Sequence, residues 1–245
     1  MEAIINLLIP VVFILALVLE RVFPARKLPR VRGWLWKGLG FFAIVGVVNA
    51  ILPPLVAEAL GPYAPWSLAS LGTIGGAVVG LIATELASYW VHRFMHRYQP
   101  VWRWTHQMHH SAERMDIAGA VYFHPLDMVL AVSFVSIVTV LVGASAEAAM
   151  LAGFAGFLMA MFQHLNVRTP VWLGYIVQRP ESHSVHHGRG VHAYNYGNLA
   201  LWDLVFGTFR NPREFTAETG FWDGASKKLL PMLIGRDVGA PSAAR

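Results

Sequence analysis

Five apolar stretches dominate the first 162 residues of the chain. A helix that crosses a bilayer needs about 20 mostly apolar residues, with a range of roughly 17–25. Residues 3–19 carry no charge and predict the first such helix. No basic segment precedes it and no small-residue cleavage site follows it, so it reads as a retained helix and not a removed signal peptide. Residues 38–52 predict a second helix, closed by Pro53 and Pro54, which lack the N–H that a helix interior uses. Residues 68–91 predict a third, interrupted only by Glu85. The runs 126–142 and 148–162 are shorter. Gly143, Ala144 and Ser145 stand between them and predict a helical hairpin that need not reach the far side. The expected fold is all-α, a single membrane domain with a bundle of four to five membrane helices. It divides into membrane helices and a basic loop (1–84), a histidine-bearing region (85–210) and a C-terminal tail (211–245), expected to fray after Asp237.

The polar positions test that map. Of the 19 Lys and Arg residues, six lie in 21–37, four in 93–114 and nine from Arg168 onward. The N-terminus, the 53–67 loop and the 143–147 turn carry none. Alternating sidedness puts every basic residue on one face, which the positive-inside rule makes cytoplasmic. The N-terminus is then outside and the C-terminal segment inside. The 21–37 loop reads as a topology signal and a contact for anionic lipid. Trp34, Trp36, Trp66, Trp90, Trp102 and Trp104 flank the expected helix ends and suit an interfacial belt. Small residues recur every fourth position at Gly72, Gly76 and Gly80 and at Ala152, Gly156 and Ala160. Such stripes allow close helix packing, within the bundle in preference to a dimer contact.

Composition narrows the class. Hydrophobic residues make up 56% of the 245 and charged residues 13%, where an ordinary soluble domain carries roughly 25% charge. Mean hydropathy is +0.49. A soluble protein, a disordered chain and a nucleic-acid-binding module are excluded on this balance, and the net charge of +5 becomes a sidedness signal. Cysteine is absent, which removes disulfides, thiolate nucleophiles and thiolate metal sites.

Histidine carries the chemistry. All 11 copies fall between positions 92 and 192. His92 and His96 form H-x-x-x-H; His106, His109 and His110 form H-x-x-H-H; His183, His186 and His187 repeat it. Residues at i and i+4 share a helix face, and the three imidazoles of H-x-x-H-H are expected to converge on one side. These eight, with His164 at the end of the fifth helix, exceed the roughly four to six ligands of one ion, which points to two metals. Imidazole suits Zn, Cu, Fe and Ni. The number is too large for one zinc, H-E-x-x-H is absent, and haem ligands would be isolated mid-helix histidines. Two irons with positions open to O2 fit best. Zinc could still fill the site in a purified sample, since nitrogen ligands favour it over ferrous iron. His124, in Phe-His-Pro, leans to a structural role over ligation, and His192 stands evenly between ligand and interfacial residue. Glu85, seven residues before His92 and on its face, is expected to accept an N–H from a ligating imidazole. Asp203 either does the same or orients the C-terminal segment. Asp127 reads as a helix N-terminal acid. Asn195 and Tyr196 either bound the pocket or form a turn.

These motifs resemble the fatty acid hydroxylase/sterol desaturase superfamily of membrane di-iron oxygenases, its bacterial branch in particular. The resemblance runs from about Glu85 to Arg210. It rests on His92-Arg-Phe-Met-His96, His106-Gln-Met-His109-His110, Phe123-His124-Pro125-Leu126-Asp127, His183-Ser-Val-His186-His187, Asn195-Tyr196-Gly197 and Leu201-Trp202-Asp203. It implies a cytoplasmic-face di-iron centre in a bacterial inner membrane that uses O2 to hydroxylate or desaturate an unactivated C–H bond of a lipid: sterol, fatty acyl, sphingolipid or ether lipid. The eight motif histidines carry over as ligands, and His164 matches a position that ligates in hydroxylase relatives. His124 matches a recurring His-Pro. No fused haem carrier or reductase is present, so a separate electron donor (haem carrier, ferredoxin or reductase) is expected. Two other readings stand beside this one. A metal transporter would need polar residues strung through its helices, where only Glu85 occurs. An inactive lipid-binding scaffold would be expected to have lost ligands.

Overall fold

The computed structural model describes residues 1–239. Helices account for nearly all of its regular structure. Strand character among the described residues is confined to two isolated bridges, Val177 with Leu199 and Gly188 with Thr219. The long helices α1 (Glu2–Val22), α2 (Trp34–Leu60) and α3 (Gly72–Arg97) are the three, among the described residues, that are long and apolar enough to cross a membrane. Short helices α4 (Gln99–Trp104), α5 (Gln107–His110) and α6 (Ile117–Ala120) follow. The hairpin α7 (Pro125–Leu141) and α8 (Ala146–Phe162) comes next, then α9 (Pro180–His186), α10 (Ala200–Val205) and α11 (Leu229–Leu233). Each hairpin helix has 17 residues, about 26 Å of rise, against a hydrocarbon core of about 30 Å.

The bundle is held by close approach. α3 packs on both arms of the hairpin, α2 along α7, and α1 against α8. The glycine stripe of α3 faces the small residues of α8: a Cβ on Gly76 would sit 3.3 Å from Ala148 Cβ, and one on Gly80 would sit 3.9 Å from Ala152 Cβ. Backbones can approach this closely only where side chains are minimal. At the far end, Leu68 N–H donates to Gly143 O, closing the 66–68 loop on the hairpin turn. Gly143 has φ +70° and no room for a side chain against Trp66.

Three expectations are corrected. First, α2 does not stop at Leu52 but continues through Pro53 and Pro54 to Leu60. Proline's φ is already helical, so the helix continues despite the lost hydrogen bonds and the crowding of the carbonyls four residues earlier, and α2 is supported by its packing along α7. Second, Trp34 is buried and donates its indole N–H to Asp116 Oδ1 at 2.8 Å, so it is a core residue, not part of an interfacial belt. Trp36, Trp66, Trp90 and Trp104 are exposed. Third, the chain does not fray directly after Asp237. Val238 is buried, accepts from the Trp222 indole and donates to Gln107 Oε1. Residues 240–245 lie outside the described residues.

Candidate metal centre

The C-terminal ends of α1, α3 and α8 and the N-terminal ends of α2 and α7 share one end of the bundle, and the short helices cap it. Two groups of histidines meet there. His92, His96, His106, His110 and His186 form one, and His109, His164, His183 and His187 form the other; within each group the ligand nitrogens lie within 4.8 Å of one another. The two are contiguous, with the His110 and His187 rings stacked at 4.2 Å between centroids.

The division differs from the expectation that each H-x-x-H-H converges as a triplet. His106 and His110 stay together while His109 goes to the other group; His183 and His187 stay together while His186 crosses. The i,i+4 members point alike along a helix. The intervening i+3 member is rotated about 100° from its i+4 neighbour and reaches the neighbouring group. The two motifs thereby interlock.

Outer partners fix which nitrogen faces inward. The Nδ1–H of His92 donates to Tyr196 O at 2.7 Å, that of His186 to Tyr194 O at 2.7 Å, and that of His164 to Ala160 O at 2.8 Å. His106 Nδ1–H donates to Asp127 Oδ2 at 2.7 Å. Carbonyls and carboxylates only accept, so each of these imidazoles directs a protonated Nδ1 outward and turns Nε2 inward. The inward nitrogens lie close together: His92 and His106 Nε2 at 2.9 Å, His109 and His164 Nε2 at 3.1 Å, His164 and His183 Nε2 at 3.2 Å. His110 Nε2 and His186 Nε2 are buried with no hydrogen-bond partner among the described residues. One bound cation would account for nitrogens gathered at this spacing. Two nitrogens bound about 2.1 Å from one ion stand roughly 3.0–3.4 Å apart, close to the spacing seen. The residues fit metal ions, and both groups could hold one.

Burial first, and then the neighbouring imidazoles, hold His109, His110, His183, His186 and His187 well below the ordinary histidine value. Burial brings His164 down to about 4. Neutral imidazoles are the ligating form.

The strap 192–198 sets two of those tautomers. His192, Tyr194 and Asn195 all have positive φ (42°, 68° and 50°), conformations that non-glycine residues hold only when their surroundings impose them. Asn195 supplies the constraint. It is fully buried, donates to Ser182 O and Arg210 O, and accepts from Arg210 N–H. Asp203 accepts from the N–H groups of Tyr196 and Gly197 and from the Thr208 hydroxyl. Glu85 accepts from the backbone and side-chain amides of Asn198. Glu85 therefore does not receive an imidazole N–H. It shares a face with His92 but lies about 10 Å lower along the axis and acts on the strap.

The remaining candidates are placed as follows. Asp127 is in the first turn of α7, as expected, and also holds His106, which sequence spacing gave no means to foresee. His124 stands outside both groups. It caps α7, its Nδ1 accepting from Leu126 N–H. His192 also stands outside both, with its Nδ1 3.1 Å from His110 Nδ1. Trp102 lies against the His96 and His110 rings. Sequence reasoning missed Arg179, a fully buried cation paired with Glu181 and bonded to Thr169 and Asn211, which anchors the start of α9. It also missed Glu113, which binds Gly224 and Ser226 and fastens the 219–228 segment to the cap. A buried acid or base with a partner far along the chain leaves no local signal.

The chain is similar to an ornithine lipid hydroxylase, OlsE, of Rhizobium tropici (32% identity over 64% of this chain and 48% of that one). It is similar to a Delta(7)-sterol-C5(6)-desaturase of Nicotiana tabacum (28% identity; 58% and 52%) and to an alkylglycerol monooxygenase of Homo sapiens (31% identity; 54% and 30%). The matched stretch thus spans about half or less of these relatives. No solved structure matches the chain significantly. The family model described as fatty acid hydroxylase matches residues 77–208, more than half of the sequence and the stretch that holds every histidine. On that match, and with its histidines gathered at one end of a membrane bundle, the chain belongs to the fatty acid hydroxylase family.

Proposed function

We propose that this protein is a membrane-embedded oxidoreductase that uses O2 to hydroxylate, or to desaturate, an unactivated C–H bond of a lipid. In this reading His92, His96, His106, His110 and His186 hold one iron and His109, His164, His183 and His187 the other. The chemistry such a centre supplies is O2-dependent oxidation, with electrons from a separate donor. One observation carries the reading: nine imidazoles, seven buried and two half-buried, divide five and four, with ligand nitrogens close-set within each group.

The chain's own residues orient the ligands and keep water away. Asp127, Ala160 O, Tyr194 O and Tyr196 O hold protons on Nδ1, so that Nε2 of each partner ring is available inward. Glu85, Asp203 and Asn195 are positioning residues that hold the strap bearing two of those carbonyls. Phe123, stacked on His109, and Trp102 close over the imidazoles and exclude solvent. The positive-inside pattern supports a cytoplasmic site and an outside N-terminus, and the likeness to the bacterial hydroxylase supports placement in a bacterial inner membrane. Hydroxylation stands ahead of desaturation. The lipids named for the relatives (ornithine lipid, sterol, alkylglycerol) support a lipid substrate.

The test is the lipid profile of cells expressing the wild type or His186→Ala, together with the metal content of the purified proteins. Wild type should hold two ions, and one lipid class should gain an oxygen atom or lose two hydrogens only with wild type. Identical profiles together with no more than one bound ion would refute the di-iron oxidase reading.

A further inference from the structure

α10 and the 3-10 turn Val171–Tyr175 have the polarity of a water-facing element reversed. Asp203 points inward from α10 and is fully buried, while Leu201, Leu204 and Val205 point outward, the last two 46% and 59% exposed. Beside them, Trp172 is 63% exposed and Tyr175 59%. The two segments are joined, with Ala200 N–H donating to Ile176 O and Gln178 N–H to Asn198 O. Residues 170–178 contain no charge, and in 199–209 the sole charge is the inward Asp203.

Their level along α3 can be read from contacts. Glu85 meets Asn198, Tyr89 stacks on Phe206, and Trp90 packs on Phe206 at 4.9 Å. Glu85 and Trp90 lie about 12 Å and about 5 Å on the membrane side of Arg93, the first basic residue of α3. Trp90 is itself exposed, so the outer surface of α10 continues the lipid-facing side of a spanning helix. An apolar surface at that depth, without a charge to hold it in water, has one fitting partner: lipid hydrocarbon.

We infer that α10 and the 171–176 turn are immersed in the leaflet at the histidine end, as a monotopic surface additional to the spanning helices. The consequence is local. Bilayer hydrocarbon then lies against the outer side of the elements that hold the strap, and the strap's carbonyls orient His92 and His186. This inference rests on the membrane span of α3 and is independent of the enzymatic reading.

The absence of cysteine permits a direct test on the full chain in proteoliposomes. Trp172→Cys, Leu201→Cys and Leu204→Cys would each carry one nitroxide label, with Ile14→Cys on the exposed face of α1 and Asp223→Cys on the cap as references. Immersion predicts relaxation by oxygen as strong as at position 14, and loss of the relaxation by a water-soluble nickel chelate that position 223 shows. Nickel relaxation at 172, 201 and 204 equal to that at 223 would overturn the proposal by placing the surface in water. Loss of both oxygen and nickel relaxation would overturn it by showing that protein, such as a second copy of the chain, covers the surface.

Discussion

The Nδ1–H of His106 donates to Asp127 Oδ2 at 2.7 Å, and both side chains are buried. His92 and His186 direct the same N–H to backbone carbonyls, so the His106 imidazole is the one oriented by a group that mutation can remove. A carboxylate behind a ligating imidazole raises its basicity, and loss of such a partner typically weakens metal binding about 10–100-fold. Asp127→Ala should show a loss of that order in chelator competition. Asp127→Asn, which keeps an acceptor without the charge, should fall between. Wild-type metal retention in both variants would mean that packing alone orients His106.

Glu85 acts at one remove. Glu85→Leu leaves the two Asn198 donors unpaired at a buried site, a cost of about 1–3 kcal/mol. Glu85→Gln keeps one acceptor and should cost less. Both should insert normally. The leucine variant should release metal faster from the His92–His186 group, because the strap it frees carries the carbonyl partners of both rings. Equal off-rates for wild type and Glu85→Leu would confine Glu85 to helix packing.

Local features were legible in the sequence and tertiary ones were not. The i,i+4 spacing places His92 beside His96 whatever surrounds them, and the stripes at Gly76, Gly80 and Ala152 announce a close helix contact. The partition of the histidines was hidden, because His109 and His110 are neighbours in sequence and serve different groups. Pro53 and Pro54 read as a stop because sequence shows the lost N–H groups and not the packing on α7 that makes their loss tolerable. Trp34 looked interfacial because Asp116, its hydrogen-bond partner, lies 82 positions away.

The stripe contact predicts its own sensitivity. A Cβ on Gly80 would already be in ordinary contact with Ala144 and Ala152, at 3.9 Å from each, so the further atoms of a leucine must push α3 and α8 apart. Overpacking of this kind costs about 1–3 kcal/mol. Gly80→Leu should lower the thermal midpoint in detergent, while Gly46→Leu, with open space around its position, should leave it near wild type. Equal midpoints for the two variants would contradict the close packing.

His164 predicts a pH dependence for chelated protein. Burial lowers its folded value from 6.5 to about 4, so between those limits the unfolded chain binds the proton and the folded one resists it. Its contribution is fully present above pH 6.5, declines as pH falls toward 4 and is constant below that, amounting to about 3 kcal/mol over the range. Thermal unfolding after chelation should therefore show a lower midpoint at pH 5 than at pH 7.5. The other buried imidazoles held low act in the same direction, and an unchanged midpoint would indicate that charge on this cluster, His164 included, is accommodated in the fold.

His124 and His186 offer a contrast within one family-like pattern. His124 Nδ1 accepts from Leu126 N–H and its Nε2 faces Leu233 O, so both nitrogens are engaged away from the two groups. His186 is fully buried and turns an unpartnered Nε2 toward His92, His96 and His110. His124→Ala removes a helix cap, at about 1 kcal/mol, and should keep the full metal content. His186→Ala should lose metal from its group while α7 keeps its stability. Both can be read from one pair of measurements, metal content by mass spectrometry and the thermal midpoint. Metal loss in His124→Ala that restoring α7 with His124→Ser does not reverse would make His124 a ligand after all and require its ring to turn inward on metal binding.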